Sequence, residues 1–552
     1  MQVAEALGGG LAALGVRHLF GVVGSGNFAV AQAAATAGVA FVAARQETAA
    51  VAMADGYARV SGEIGVVTLH QGPGLTNAAT GVAEAAKART PVVVLAADTA
   101  AGDRRSNFRI DAPGLASSVG AVVERLATPE SATGDLARAL RRARVERRAV
   151  VLLAPVDVLG AACAGALPEE AAPGFASDLA PRPAPRAVCQ LADLVGEAAR
   201  PVVLAGRGGV LSAARGPLER LASAMGAPVA TSAVANGLFA GSPRALGISG
   251  GFASPAAART LARADLVLAF GASLNAWTTR HGALVAPGAR VAQVDVDADA
   301  LGVHLPIDLG VVGDAAETAT VLAEELARRG HRGGGDGATP SPTGWAAAAR
   351  PWREEAYQEA STADRVDPRT LSIGLDRLLP PDRTVAVDSG HFMGWPAMYL
   401  GVPDPAAFVF TQAFQSVGLG LASGIGAAVA RPERLTVACV GDGGALMALG
   451  ELETVARLGG AMVVVIYNDA AYGAEVHHFG PLGYPVDLAR FPDTDFAAQA
   501  RALGAEGVTV RQPGDLDALQ SWLARRERPL VIDAKVNPAV VAEWLEEAFR
   551  VH

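Results

Sequence analysis

The sequence predicts an α/β protein built from three doubly wound parallel sheets. Short β-branched apolar runs recur along all 552 residues. They alternate with Ala-rich stretches of helical character. Runs of about four to six residues with no polar alternation suit strands buried on both faces. Alternation of such strands with helices gives parallel sheets. In order, the runs lie at 18–23, 40–44, 65–69, 91–96 and 149–153, then at 201–205, 266–270 and 290–294, then at 384–387, 435–440, 462–467 and 529–533. Two Pro- and Gly-rich stretches, 169–186 and 328–344, read as surface connections because such composition packs no core. They divide the chain into domains over 1–168, 187–328 and 345–552, each of ordinary domain size.

Composition narrows the function classes. Hydrophobic residues are 51% and charged residues 18%, which fits a globular enzyme and excludes a disordered chain. Lys plus Arg is 46 against 55 Asp plus Glu, a net charge of −9, so no nucleic-acid partner is expected. Three scattered cysteines (Cys163, Cys189, Cys439) give neither a disulfide framework nor metal spacing, and suit a reducing compartment. The N-terminus has Glu5 and no basic segment, so no signal peptide is expected and the location reads as cytoplasmic. Two long uncharged stretches, 19–44 and 408–430, are crowded with Gly and polar residues, and read as buried α/β segments rather than membrane spans.

Ligands of parallel sheets bind beyond the carboxyl ends of the strands, so the residues after each run are the candidates. After the first run comes Gly24-Ser25-Gly26-Asn27-Phe28-Ala29. This matches G-x-G-x-x-A, with Glu47 where a dinucleotide fingerprint carries its acid. Taken alone it reads as a nicotinamide-dependent oxidoreductase. A second candidate lies at 435–440, which ends in Gly441-Asp442-Gly443-Gly444, paired with 462–467, which ends in Asn468-Asp469. Adjacent parallel strands put both tips on one sheet edge. Asp442 and Asp469 then converge as hard oxygen ligands, while glycines let backbone amides approach a phosphate. That is the chemistry of a Mg²⁺–diphosphate site.

Gly441-Asp442-Gly443, followed later by Asn468-Asp469, resembles the signature of thiamine-diphosphate enzymes, which is GDG followed by a paired Asn-Asn. The wider resemblance is to the acetolactate synthase, pyruvate decarboxylase and benzoylformate decarboxylase group, and it covers essentially the whole chain. Arg45-Gln46-Glu47-Thr48-Ala49-Ala50 precedes Met53-Ala54-Asp55-Gly56-Tyr57-Ala58-Arg59, then Gly72-Pro73-Gly74-Leu75-Thr76-Asn77 and Arg89-Thr90-Pro91. The order is similar to the family's catalytic Glu, A-[DE]-G-Y-A-R helix, G-P-G-x-T-N turn and Pro-led strand. The resemblance overrides the dinucleotide reading. It implies a pyrimidine-binding, a middle and a diphosphate-binding domain.

By that resemblance Glu47 activates the aminopyrimidine, with Gly72, Pro73 and Asn77 beside the cofactor. Asp442, Asp469 and the carbonyl of Ala471 hold Mg²⁺; Asp469 departs from the family's usual Asn and adds a charge. Gly390, His391, Phe392, Gly441, Gly443, Gly444, Tyr472 and Gly473 surround the diphosphate. Val417 stands where the family keeps a bulkier residue under the bent cofactor. Ser25 and His70 resemble a serine and a histidine of benzoylformate decarboxylase, and Gln71 is a further polar candidate. Tyr472, His477, His478 and His281 are weaker candidates for the pocket wall. Acetolactate synthases bind FAD in the middle domain; the turns at 205–209 and 271–274 are compatible with a nucleotide without being diagnostic, and FAD is not the expectation. The implied activity is decarboxylation of a 2-oxo acid, followed by aldehyde release or transfer of the acyl unit to an acceptor (a lyase or a transferase). The alternative within the family is an acetolactate synthase-type carboligase proper. The resemblance also implies a homodimer or homotetramer with active sites between subunits.

Overall fold

The computed structural model describes residues 1–163, 180–331 and 350–550. The greater part of both connections read from sequence, and the domain edges at 168 and 345, lie outside the described residues.

The first sheet contains β1 (His18–Gly21), β2 (Ala40–Ala43), β3 (Gly65–Leu69), β4 (Val92–Asp98), β5 (Val122–Arg125) and β6 (Ala149–Pro155), in the order β2-β1-β3-β4-β6-β5. The second contains β7 (Pro201–Ala205), β8 (Val229–Thr231), β9 (Ala245–Ile248), β10 (Leu266–Phe270), β11 (Arg290–Asp295) and β12 (Leu309–Val312), in the order β12-β11-β10-β7-β8-β9. The third contains β13 (Arg383–Val387), β14 (Phe408–Phe410), β15 (Leu435–Gly441), β16 (Met462–Asn468), β17 (Glu506–Val510) and β18 (Leu530–Lys535), in the order β14-β13-β15-β16-β18-β17. Every pairing within these sheets is parallel. The α/β class with three parallel sheets is therefore the observed one.

The first and third sheets have the same order, and they are joined. Helix Glu47–Ser61 crosses helix Gly420–Ala430 at backbone contact. A Cβ on Gly56 would lie 2.1 Å from the carbonyl oxygen of Ser423, and one on Gly426 would lie 1.8 Å from that of Met53. Only glycine permits that approach. One hydrophobic cluster consequently runs from Phe20, Val67 and Met53 into Leu421, Ile425, Val440 and Val464. The middle sheet has separate cores on its two faces. The stretches questioned for a membrane resolve into strands and helices: 19–44 holds β1, helix Phe28–Thr36 and β2, and 408–430 holds β14 and helix Gly420–Ala430. No helix among the described residues is long and apolar enough to cross a membrane.

Candidate active site: two half-sites in one chain

Strand order reverses between β13 and β15, which opens a crevice at their carboxyl ends. The segment after β13 carries Gly390, His391 and Phe392, and β15 ends in Gly441. These residues, with Val417, Asp442, Gly443, Gly444, Asp469, Ala471, Tyr472 and Gly473, line one cleft of about 1530 Å³. The structure thus brings together all the residues that the sequence places around a diphosphate.

Asp442 opens a short helix directly after β15 and is 8% exposed. Asp469 follows β16, the neighbouring strand. The two carboxyl groups are neighbours in the cleft wall and interact electrostatically. Burial raises the pKa of both, and the charge of Asp442 raises Asp469 further. Two adjacent buried carboxylates resist ionising together, and a cation between them relieves the repulsion. This donor set fits a divalent metal. Among the described residues no three His, Cys, Asp or Glu side chains converge as metal ligands, so this pair leaves the remaining coordination to carbonyls, water or phosphate. Asn468 does not join it. Its amide donates to Asp533 at 3.0 Å, inside a buried network with Lys535.

The glycines around the pair are sterically required. A Cβ on Gly443 would lie 2.7 Å from the Tyr472 ring, and one on Gly473 would lie 2.5 Å from Oδ2 of Asp469. At Gly444 a Cβ would lie 2.3 Å from Oδ2 of Asp388 and 3.3 Å from Val417. Asp388 is fully buried at the end of β13 and accepts from the amides of Gly418, Leu419 and Gly420 at 2.9–3.1 Å. Burial pushes its pKa up to about 6 against those hydrogen bonds. It fixes the turn that carries Val417. Sequence reasoning passed over Asp388; the signal was an Asp directly following a buried strand. His391 is buried and its pKa is pushed down to about 3 by burial and by His477. Nε2 of this neutral ring accepts from the Ala542 amide at 2.8 Å.

The other predicted residues form a second group. Glu47 is the first residue of helix Glu47–Ser61, with Gln46 capping the amide of Ala49. Asn77 donates to Glu47 Oε2 at 3.1 Å. Gly72, at φ 64, turns the chain from β3 into helix Pro73–Lys87, with Pro73 at its first position. His70 lies under the loop after β1, where the Gly26 amide donates to its Nδ1 at 3.1 Å. That leaves the N–H of a neutral ring on Nε2. Phe108 meets the ring edge-on at 5.0 Å. Ser25 is exposed in the same loop. Oε1 of Gln71 is buried without a hydrogen-bond partner.

The G-x-G spacing has a local cause. A Cβ on Gly24 would lie 2.8 Å from the His70 ring, and one on Gly26 would lie 2.6 Å from Oε1 of Gln71. Glu47 also opens a helix past β2 instead of ending the strand, as a ribose-binding acid does. The nicotinamide reading of 24–29 is corrected on both counts.

No residue from 1 to 58 or from 60 to 86 lines the Asp442 cleft, so Glu47, Ser25, His70 and Gln71 are absent from its wall within one chain. Of the weaker candidates, Tyr472 and His281 line the cleft, while His477 and His478 do not. His477 packs behind His391, and His478 stacks on Phe549 at 4.0 Å. The cleft continues to the middle-domain turns after β7, β10 and β11, where Arg207 stands. Burial and the charges of Arg59, Arg147 and Arg89 push the Arg207 pKa down to about 10.

Residues 1–123 match the description "Thiamine pyrophosphate enzyme, N-terminal TPP binding domain", 188–322 the central domain and 388–534 the C-terminal TPP binding domain. A sulfoacetaldehyde acetyltransferase of Castellaniella defragrans is 31% identical over 94% of this chain and 89% of its own length. The acetolactate synthase isozyme 3 large subunit of Escherichia coli K12 is 28% identical over 95% and 92%. Among solved structures, a thiamine diphosphate-dependent 4-hydroxybenzoylformate decarboxylase of Rhodococcus jostii RHA1 superposes with a TM-score of 0.81 at 23% identity, covering 97% of this chain and 99% of that one, which shows the shared fold. With all three domains matched in order, the chain belongs to the thiamine pyrophosphate enzyme family.

Proposed function

We propose that the protein is a thiamine-diphosphate- and Mg²⁺-dependent enzyme that decarboxylates a 2-oxo acid and then releases an aldehyde or passes the acyl unit to an acceptor. The observation that carries this reading is the apposed pair Asp442–Asp469 beside the glycine turn 441–444. Their carboxylates and the Ala471 carbonyl would hold the metal. Amides of the 390–392 and 441–444 turns would receive the diphosphate, with Tyr472, Gly473 and Val417 in the same wall. Bound thiamine diphosphate supplies a thiazolium ring that accepts the electron pair left when CO₂ departs.

Glu47 shares a proton with the aminopyrimidine, and Asn77 orients its carboxyl group. His70, with Nδ1 engaged by Gly26, would present its Nε2 side to the carbonyl oxygen of a bound substrate. Ser25 and Gln71 offer further hydrogen bonds at the same crevice. The Glu47 group and the Asp442 group lie apart in one chain, so a complete site needs a second copy, with each chain giving one half to each of two sites.

Transfer to an acceptor is the more specific reading within this function. The acetyltransferase and the acetolactate synthase align over most of this chain and of their own, and both names denote acyl-transferring enzymes. The experiment is CO₂ release from pyruvate, 2-oxobutyrate and benzoylformate with thiamine diphosphate and Mg²⁺, products being identified by mass. An aldehyde product assigns a decarboxylase, and a coupled product assigns a carboligase. No release from any member, despite cofactor binding, rules out decarboxylation of these donors.

A further inference from the structure

The segment that delivers Glu47 is held from the third domain. Helix Gly450–Leu458 follows closely on the helix opened by Asp442. Glu451 on it is 1% exposed. Its Oε1 accepts from the amides of Arg45 at 2.9 Å and Gln46 at 3.1 Å, and its Oε2 accepts from Thr454 Oγ1 at 2.7 Å. Glu453 on the same helix pairs with the Arg45 side chain at 2.7 Å, and Arg457 donates to the Ala43 carbonyl at 2.6 Å. The stretch directly before Glu47 is thus gripped at two amides, one carbonyl and one side chain.

The contact has a counterpart. Glu84, 2% exposed on helix Pro73–Lys87, accepts from the amides of Ala413 at 3.2 Å and Phe414 at 2.6 Å. Those amides lie in the loop after β14, which leads to Val417. Strands β2 and β14 hold the same place in the two sheets, as do β3 and β15. In both directions, a buried Glu on a helix that follows the third strand of one sheet grips the loop after the second strand of the other.

We propose that Glu451 is a positioning residue for Glu47, with Glu84 as its counterpart for the Val417 loop. The proposal rests on the reading of Glu47 given above. A carboxylate that accepts two consecutive amides fixes the peptide plane between them, and charge-assisted bonds of this kind are stronger than neutral ones. Glu47 begins one residue further on, so its approach to the pyrimidine inherits that orientation. The clamp lies within one chain. In the two-chain arrangement it therefore hangs the glutamate of one active site on the metal turn of the other.

The test uses the full chain with thiamine diphosphate and Mg²⁺. The direct readout is the rate at which the C2 proton of bound thiamine diphosphate exchanges for deuterium, beside cofactor affinity, kcat and KM. Glu451→Ala is expected to slow exchange and kcat together by about ten- to hundredfold, the scale of a small misplacement of a reacting group. Cofactor affinity and KM should stay within about threefold. Glu451→Gln keeps an oxygen acceptor for both amides and should recover most of the exchange rate. Thr454→Val frees the carboxylate to rotate and should give a smaller loss in the same direction, which keeps the test open if Glu451→Ala does not fold. Wild-type exchange in Glu451→Ala overturns the proposal. So does a loss of stability and cofactor affinity that matches the loss of rate and that Gln does not repair. Glu47→Gln in the same assay tests the underlying reading separately: if it exchanges at the wild-type rate, the role of Glu47 itself falls, whatever Glu451 does.

Discussion

The first and third sheets thread six strands in the same order, yet their crevices carry different chemistry. Between β1 and β3 the crevice holds Gly24, Gly26, His70 and Gln71, with no carboxylate among them. Between β13 and β15 it holds Asp388 and Asp442, with Asp469 at the tip of the next strand. On the proposed reading, one topology carries a half-site that handles protons and a half-site that handles a cation and phosphate. The lesson is that strand order places a site while the turn residues decide its use.

If that division is right, damage to the two halves should differ in kind. The largest effect is expected in the first half: Glu47→Gln should keep the fold and cofactor affinity but lose about 10²- to 10⁴-fold in kcat, measured by steady-state turnover. Asp442→Ala should instead weaken the binding of Mg²⁺ and thiamine diphosphate by at least about ten- to hundredfold, read by titration calorimetry. Unchanged affinity there would remove the metal assignment.

The next prediction concerns the seam between the two sheets. Gly426→Ala forces a methyl against the Met53 carbonyl and should destabilise the protein by about 1–3 kcal/mol in a denaturant titration. A neutral result would mean that the two sheets are not locked as one body.

The smallest effect is electrostatic. Asp442 and Asp469 both have raised pKa values in the metal-free protein. The folded state then holds protons that the unfolded state has released, so this pair makes stability fall as pH rises from the ordinary carboxylate range through the raised values. In the proposed site Mg²⁺ would take the place of the bound proton. Its stabilising effect on thermal unfolding should therefore be greater at about pH 8 than at about pH 5. Asp469→Asn should flatten that difference. A Mg²⁺ effect independent of pH would contradict a shared-proton pair.

Much of the fold was legible because central strands of parallel sheets are uninterrupted apolar runs. The runs at 65–69, 201–205 and 266–270 coincide with β3, β7 and β10 residue for residue. The edge strands β5, β12 and β17 carried no such signal because they are half-exposed. The clustering of the proposed diphosphate residues was legible because Gly441–Gly444 and Asn468-Asp469 lie on local turns of adjacent strands. Glu84 and Glu451 were not legible. Their partners are backbone amides in another domain, and an amide leaves no trace in residue identity. The matching order of the first and third sheets was also hidden, since strand order is not a sequence period. The 24–29 stretch misled for a related reason: glycine is demanded there by the close approach of His70 and Gln71, and a pattern of glycines does not say what approaches.

The most direct test of the account is complementation. Glu47→Gln and Asp442→Ala chains, each nearly inactive alone, are co-expressed and assayed together. If each site takes Glu47 from one chain and Asp442 from another, a mixed dimer has one intact site. Random pairing should then restore about a quarter of wild-type activity. A mixture no more active than its components would mean that both groups serve the same site from one chain, and the two-chain site would be wrong.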